Sequence, residues 1–243
     1  YDSKRQEYGW GYPDVWYDWR TFGQEHLTWY MQWIADEIRR YDAKTPLHLN
    51  PHGLVGNLIN ANYELHRWRP MLQSLGASIH VAWHFGMLER IQYTMGVSYV
   101  CDLIRGASEP HPFWVTELQG GNNLYSGSLP LCPTQEDLSQ WLWTSVASGA
   151  ERVIYWCLNA KMQGTEAAEW GLLNLQDQPG ERLLISSEIA KVIHENAKFF
   201  SDARPVVSDI TILLSPETMV LEQRIKASNG KPGANKDAHL KAA

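Results

Sequence analysis

The chain has 243 residues, 44% of them hydrophobic, 20% charged and 12% aromatic, which excludes a disordered, collagenous or disulfide-scaffold protein. Its net charge of −6, with no run of lysines and arginines, offers no electrostatic footprint for a phosphate backbone, so nucleic acid is not an expected partner. Twelve tryptophans exceed what a core requires and point to a surface that holds the apolar faces of sugars, bases or other rings.

Residues 13–41 read as a long amphipathic helix: Pro13 suits a first turn, and Trp16, Trp19, Phe22, Leu27, Tyr30, Ile34 and Ile38 recur every three to five positions. Residues 46–51 read as a short buried strand, closed by Pro51 and the turn signal His52-Gly53. A helix over about 63–75 is expected to stop at Gly76, followed by strand character over 77–83 and a helix over 91–104. Residues 112–117 form a β-branched and aromatic run that ends on a carboxylate. A turn-rich loop covers 120–133, after which Thr134 and Asp137 resemble a capping box opening a helix to about 148. A buried strand over 152–157, a helix over 183–200 and a strand over 209–216 complete the pattern.

Strands alternating with helices predict a mostly parallel sheet, either a barrel or an open doubly wound sheet. A dinucleotide fold would show G-x-G-x-x-G after its first strand, and neither that motif nor a P-loop is present. Polar and aromatic residues instead follow several strands: Asn50 and His52; His80, Trp83 and His84; Glu117 and Gln119; Trp156 and Asn159. In a (β/α) barrel such positions converge on one face, which favours the barrel. The helix tryptophans are then expected to pack against it. No apolar stretch reaches the ~18 residues of a membrane span, so no membrane partner is expected. The start at Tyr1 without methionine, with neither a basic region nor a hydrophobic run, and the polar end over 225–243 suggest a piece of something longer, whose compartment stays open.

Cys101, Cys132 and Cys157 are odd in number and lack a C-x-x-C pair, so they are expected to be small buried hydrophobes. His48, His52, His80 and His84 can be read as metal ligands, and His80 and His84 have the spacing of a helical pair. Their strand-like context and the missing Glu of H-E-x-x-H argue against a metal and for hydrogen bonds to substrate hydroxyls. Serine hydrolysis lacks a G-x-S-x-G elbow, and Ser126-Gly127-Ser128 reads as a rim loop.

Glu117 is the sharpest single residue, because a carboxylate directly after Phe-Trp-Val-Thr leaves a buried strand and there requires either an ion pair or a function. An attacking carboxylate would suit glycoside cleavage, with a second, protonated carboxyl ~5 Å away donating to the leaving oxygen. Glu7 and Asp2 are not preceded by an apolar strand, and Glu89, Glu109, Glu166 and Glu169 sit where a solvated charge is the default. Trp114 is expected to pack internally; Trp83 and Trp156 stay open between core packing and ligand contact.

On Phe113-Trp114-Val115-Thr116-Glu117-Leu118-Gln119-Gly120-Gly121 and Tyr155-Trp156-Cys157-Leu158-Asn159, the chain resembles glycoside hydrolase family 42, β-galactosidase-like retaining enzymes with (β/α)8 TIM barrels. The likeness covers approximately residues 13–216. It implies a retaining β-galactosidase-like hydrolase with Glu117 as nucleophile, Trp156 lining the sugar site, a carbohydrate substrate and no metal or organic cofactor. Asn50, His52, His80, Trp83, Gln119 and Asn159 complete the expected substrate-binding set.

The same resemblance matches residues 47–50, 79–83, 113–117 and 153–157 to barrel strands five to eight. Residues 1–205 would form the second half of the barrel, and 206–243 would begin a following α/β domain associated with trimer formation. The family's acid/base is the Glu of an Asn-Glu pair after strand four. No Asn-Glu precedes the first long helix here; Gln6-Glu7-Tyr8-Gly9 is a weak echo, leaving Glu7 as a candidate and placing the expected acid upstream of the chain. A carbohydrate-binding or scaffold protein without turnover is the rival reading.

Overall fold

The computed structural model describes residues 13–127, 129–206 and 208–222, so Asp2 and Glu7 lie outside the described residues. The described residues fall into two compact units, one drawn from 13–45, 56–71 and 208–222, the other from 46–55 and 72–206.

In the first unit, the long helix is present as α1 (Pro13–Tyr41). It buries a different stripe from the one expected. Gln24, Thr28 and Ala35 point inward, and Thr28 accepts a hydrogen bond from the Trp68 indole at 3.2 Å. Trp19, Phe22, Trp29 and Trp33 are instead about half or more exposed; Trp19, Phe22, His26 and Trp29 form a ladder of stacked rings along the helix, and Trp33 stacks separately on Tyr30. Of the helix tryptophans expected to pack against the barrel, Trp141 on α6 is buried at 1% exposed; Trp68 is equally buried but within the first unit, and Trp19, Trp29 and Trp33 on α1 are not buried. Gly23 shows why the small stripe is inside: a Cβ there would lie 2.6 Å from the Asn62 amide, so the chain approaches too closely for a ring. The expected strand over 209–216 is absent. No strand pairs with that segment among the described residues, and a lone extended segment leaves its backbone groups unpaired; α9 (Pro216–Glu222) follows it.

The second unit is built on a parallel four-stranded sheet in the order β1 (His48–Leu49), β2 (Ser74–Ile79), β3 (Phe113–Gln119) and β4 (Arg152–Trp156). After β1 the chain forms α2 (Leu54–Asn60) and α3 (Leu65–Trp68), the latter in the first unit, and a short 3-10 turn follows to Met71. The expected helix over 63–75 thus stops early, and Gly76 lies inside β2. A Cβ there would fall 1.9 Å from Thr116 Oγ1 and 2.8 Å from the His48 ring, so close strand packing, not helix termination, explains this glycine. Past β2 the chain turns at once into α4 (Val81–His84), where a strand to residue 83 was expected.

Helices α5 (Tyr93–Ser108) and α6 (Gln135–Ala147) pack on the sheet, with α7 (Glu181–Glu195) beside α6 and α8 (Ala197–Asp202) after it. The capping box opens α6: the Thr134 hydroxyl accepts from the Asp137 N–H, and the Asp137 carboxylate accepts from the Thr134 N–H at 2.8 Å. Leu75, Ala77, Ile79, Phe113 and Val115 are buried core residues of the sheet. Cys101 is buried as expected; Cys132 is exposed and Cys157 partly so, since both lie on loops.

Candidate active site

Strict alternation along β3 would send Glu117 to the same face as Phe113 and Val115, into the apolar core. A bulge prevents this. Ala77 pairs with Val115 but Ser78 with Glu117, and on the other side Val153 pairs with Val115 but Tyr155 with Leu118. One extra residue in β3 therefore turns Glu117 onto the face shared by His48, Ser78 and Thr116, a usual device for re-aiming a side chain. The strand continues to Gln119, so Glu117 lies within it and not at its end as the sequence suggested.

Three side chains converge on the carboxylate. Asn50 Nδ2 donates to Oε1 at 3.1 Å, the Ser78 hydroxyl donates to Oε2 at 3.0 Å, and His80 Nε2 lies 3.0 Å from Oε2. Asn50 Nδ2 also donates to Ser78 Oγ at 3.1 Å, which orients that hydroxyl toward the acid. Because an ionised carboxylate only accepts, the proton of the His80 contact sits on Nε2. The His80 bond lowers the pKa of Glu117 most, burial raises it, and the charge of His80 and the Ser78 bond lower it further. The balance lies below the ordinary glutamate value, and no second acid contributes to it. Glu117 is thus ionised at neutral pH while a quarter of its side chain stays exposed.

An aromatic and imidazole cluster surrounds His80. Trp83 stacks on it at 5.6 Å, the buried Trp170 meets it edge-on at 5.1 Å, and His52 packs against Trp83 at 5.4 Å and His84 at 5.1 Å. His84 Nδ1 accepts the His80 backbone N–H at 3.2 Å, and burial, then His80 and His52, push its pKa down to about 3. Burial first and then His80 also lower the pKa of His52. Both rings are therefore neutral. His48 uses both ring nitrogens on hydroxyls, Ser74 at 2.8 Å and Thr116 at 3.0 Å. Among the described residues no group of three or more His, Cys, Asp or Glu is arranged to hold a metal ion.

The structure brings Asn50, His52, His80 and Trp83 together around Glu117. Gln119 is placed otherwise: it is fully buried, with Oε1 accepting from Ala82 N–H at 3.1 Å and Nε2 donating to the Gly121 carbonyl at 3.0 Å. Both ends of its amide are spent on backbone, so it braces α4 and does not present itself as a sugar contact. Asn159 is exposed and donates to Asp177 at 2.7 Å, and Trp156 carries the Lys161 ammonium 4.9 Å from its ring centre. Trp114 is sandwiched between the His48 ring, 4.3 Å away, and the Arg152 guanidinium, 4.4 Å away. Sequence reasoning missed Ser78, although it lies two residues before His80 and so shares its face. It also missed Glu169 and Trp170, which have no strand pattern to mark them; Glu169 is buried, not solvated as expected.

The family model for glycosyl hydrolase 42, described as beta-galactosidase, matches residues 10–198. No functionally curated protein matches the chain. Among solved structures, the beta-galactosidase of the Antarctic haloarchaeon Halorubrum lacusprofundi superposes with a TM-score of 0.73 at 17% identity, over 90% of this chain and 33% of that one. A catalytic mutant of Gan42B, a GH42 beta-galactosidase from G. stearothermophilus, gives a TM-score of 0.74 at 14% identity, over 93% and 33%. The beta-galactosidase of the psychrophile Marinomonas ef1 gives 0.62 at 17% identity, over 73% and 28%. The fold is therefore that of these enzymes, and the chain spans about a third of their length or less. With its model matching well over half of the chain, glycoside hydrolase family 42 is the family to which this protein belongs.

Proposed function

We propose that the protein acts as the nucleophile-bearing part of a retaining β-galactosidase. Within a (β/α)8 barrel, β1 to β4 correspond to strands five to eight, residues 1–205 form its second half, and 206–243 begin a following domain. A Glu117 oxygen attacks the anomeric carbon while the bond from that carbon to the leaving oxygen breaks, and an acid supplied from outside the described residues protonates that oxygen. Water, deprotonated by the same acid's conjugate base, then displaces Glu117 and restores the original configuration. Asn50, His52, Trp83 and Trp156 hold the sugar, with Asn159 at the rim; His80, Ser78 and Gln119 position those groups.

The observation that carries this reading is the Glu117 carboxylate itself: ionised, partly exposed, and held by three donors so that Oε1, with a single donor, keeps a lone pair for carbon. A depressed pKa suits a nucleophile and disqualifies Glu117 as the proton donor, which must hold its proton at working pH. The same network also favours a second reading, a sugar-binding protein without turnover, because none of the three partners is an acid.

Labelling separates the two. A 2-deoxy-2-fluoro-galactoside with a dinitrophenyl leaving group needs no protonation to depart, so the test on the 243-residue chain does not depend on which residue is the acid. The expected result is a glycosyl adduct on the peptide containing Glu117, absent in Glu117→Gln; binding of galactose with no adduct supports the second reading.

A further inference from the structure

Glu169 is completely buried, yet it takes no part in the chemistry above. It lies in the loop that follows β4, and its partners come from the loop that follows β3. Oε1 accepts from the backbone N–H groups of Leu124, of Tyr125 at 2.8 Å and of Ser126 at 3.3 Å, and Oε2 accepts from the Ser126 hydroxyl. Burial raises its pKa, but the Ser126 hydroxyl and the three amides outweigh burial and leave the carboxyl below its ordinary value. A buried ionised carboxylate so held ties two loops into one wall.

Two routes lead from this wall to the candidate nucleophile. Through its own chain, Glu169 is flanked by Ala168 and Trp170 at φ of +66° and +67°, the left-handed region that side-chained residues rarely occupy. That conformation sets the Trp170 indole edge-on to both His80, at 5.1 Å, and Trp83, at 5.6 Å. Through the other loop, the held segment runs into Gly127, which rests so closely on Trp83 that a Cβ would lie 1.8 Å from the indole. Trp83 in turn stacks on His80, whose Nε2 contacts Glu117.

We infer that Glu169 is a positioning residue: by latching residues 124–126 to the loop after β4 it holds Trp170 and Trp83 around His80, and so keeps His80 on Glu117. The mechanistic meaning rests on the reading of Glu117 as nucleophile, but the structural coupling does not. Releasing the latch lets the His80 bond to Glu117 lengthen, and loss of a donor to the ionised form raises the carboxyl's pKa. The other titratable groups around this pair are His52, which faces both Glu117 and His80, and His84 and Glu166, which act on or beside His52. All are left in place by the variants below.

The test is an NMR titration of the 243-residue chain, following the Glu117 carboxyl and His80 imidazole signals, assigned by their loss in Glu117→Gln and His80→Gln. In Glu169→Ala the Glu117 signal is expected to titrate at higher pH than in the parent. Glu169→Gln, whose amide oxygen still accepts the three N–H groups, is expected to fall between the two. Ser126→Ala, which removes one bond only and keeps the chain folded should Glu169→Ala fail, is expected to move the titration in the same direction. Unchanged titrations of Glu117 and His80 in folded Glu169→Gln and Ser126→Ala overturn the inference. Because no turnover is read, a failure of the nucleophile assignment leaves this test intact. Where the assembled enzyme turns over, the acid limb of its kcat/KM profile is expected to move upward in the same order, with a loss of roughly 10- to 100-fold for Glu169→Ala.

Discussion

Glu117 takes its hydrogen bonds from side chains at the ends of β1 and β2 and keeps a quarter of its side chain exposed, whereas Glu169 takes three of its four from backbone amides of one loop and keeps nothing exposed. Both are ionised, for similar reasons, and neither sits opposite a lysine or arginine in these networks. The difference lies in what each network can give up. Side-chain donors can rotate and a quarter of the Glu117 side chain is open, which is what the proposed bond to carbon requires. Amide donors cannot leave without moving the chain, so Glu169 holds two loops in register. On the proposed readings, two acidic side chains with similar pKa directions serve chemistry in one place and architecture in another, and donor type and exposure are what separate them.

The largest expected effect tests that contrast directly. Glu117→Gln in the assembled enzyme should cut turnover by roughly a thousandfold or more while changing stability by less than about 1 kcal/mol. Turnover close to the parent's would remove Glu117 from the mechanism. Glu169→Ala should do the reverse in stability, costing about 2–4 kcal/mol by urea unfolding because buried N–H groups lose their acceptor; a cost under ~1 kcal/mol would erase the architectural half of the comparison.

Acidification probes both carboxyls at once. Each has a folded-state pKa below its unfolded value, so each contributes stability that is fully present above the ordinary glutamate range and lost as pH falls through the lowered value. Stability of the parent should therefore drop on acidification more steeply than that of Glu169→Gln. Gly76→Ala should cost about 1–3 kcal/mol, because its Cβ would press on Thr116 and His48 beside the bulge that aims Glu117. The smallest effect is expected for Ser78→Ala: a several-fold loss at optimal pH, with the acid limb moved to higher pH through loss of one donor to the ionised acid.

Much of this was legible in the residues where the signal is local. The capping box at Thr134, a strand beginning at residue 152 and the long first helix follow from patterns closed within one or two turns of chain, but that strand, expected to be buried, leaves Arg152 and Ile154 exposed, because burial depends on what packs against it. The single helix expected over 183–200 is split at Asn196, whose side chain bonds back to the Val192 carbonyl at 2.9 Å. On α1 the aromatic periodicity correctly groups residues on shared faces but says nothing about which face turns inward. That choice depends on Gly23 and Thr28 fitting where a ring does not. Gly76 is ambiguous for the same reason, since a glycine needed for close strand packing is indistinguishable in sequence from one that ends a helix.

What the amino-acid order determined alone is the inventory: alternating strands and helices, an acid at the end of an apolar run, and enough tryptophan and histidine to build an aromatic site. What the folded chain decided is direction. Residue 117 faces Asn50, Ser78 and His80 and not the core only because one extra residue in β3 is accommodated by pairing to both neighbouring strands. Glu169 is buried only because a loop some forty residues earlier turns three amides toward it. Spacing along the chain encodes periodicity, but register and burial are properties of pairs, and pairs form only when distant segments meet.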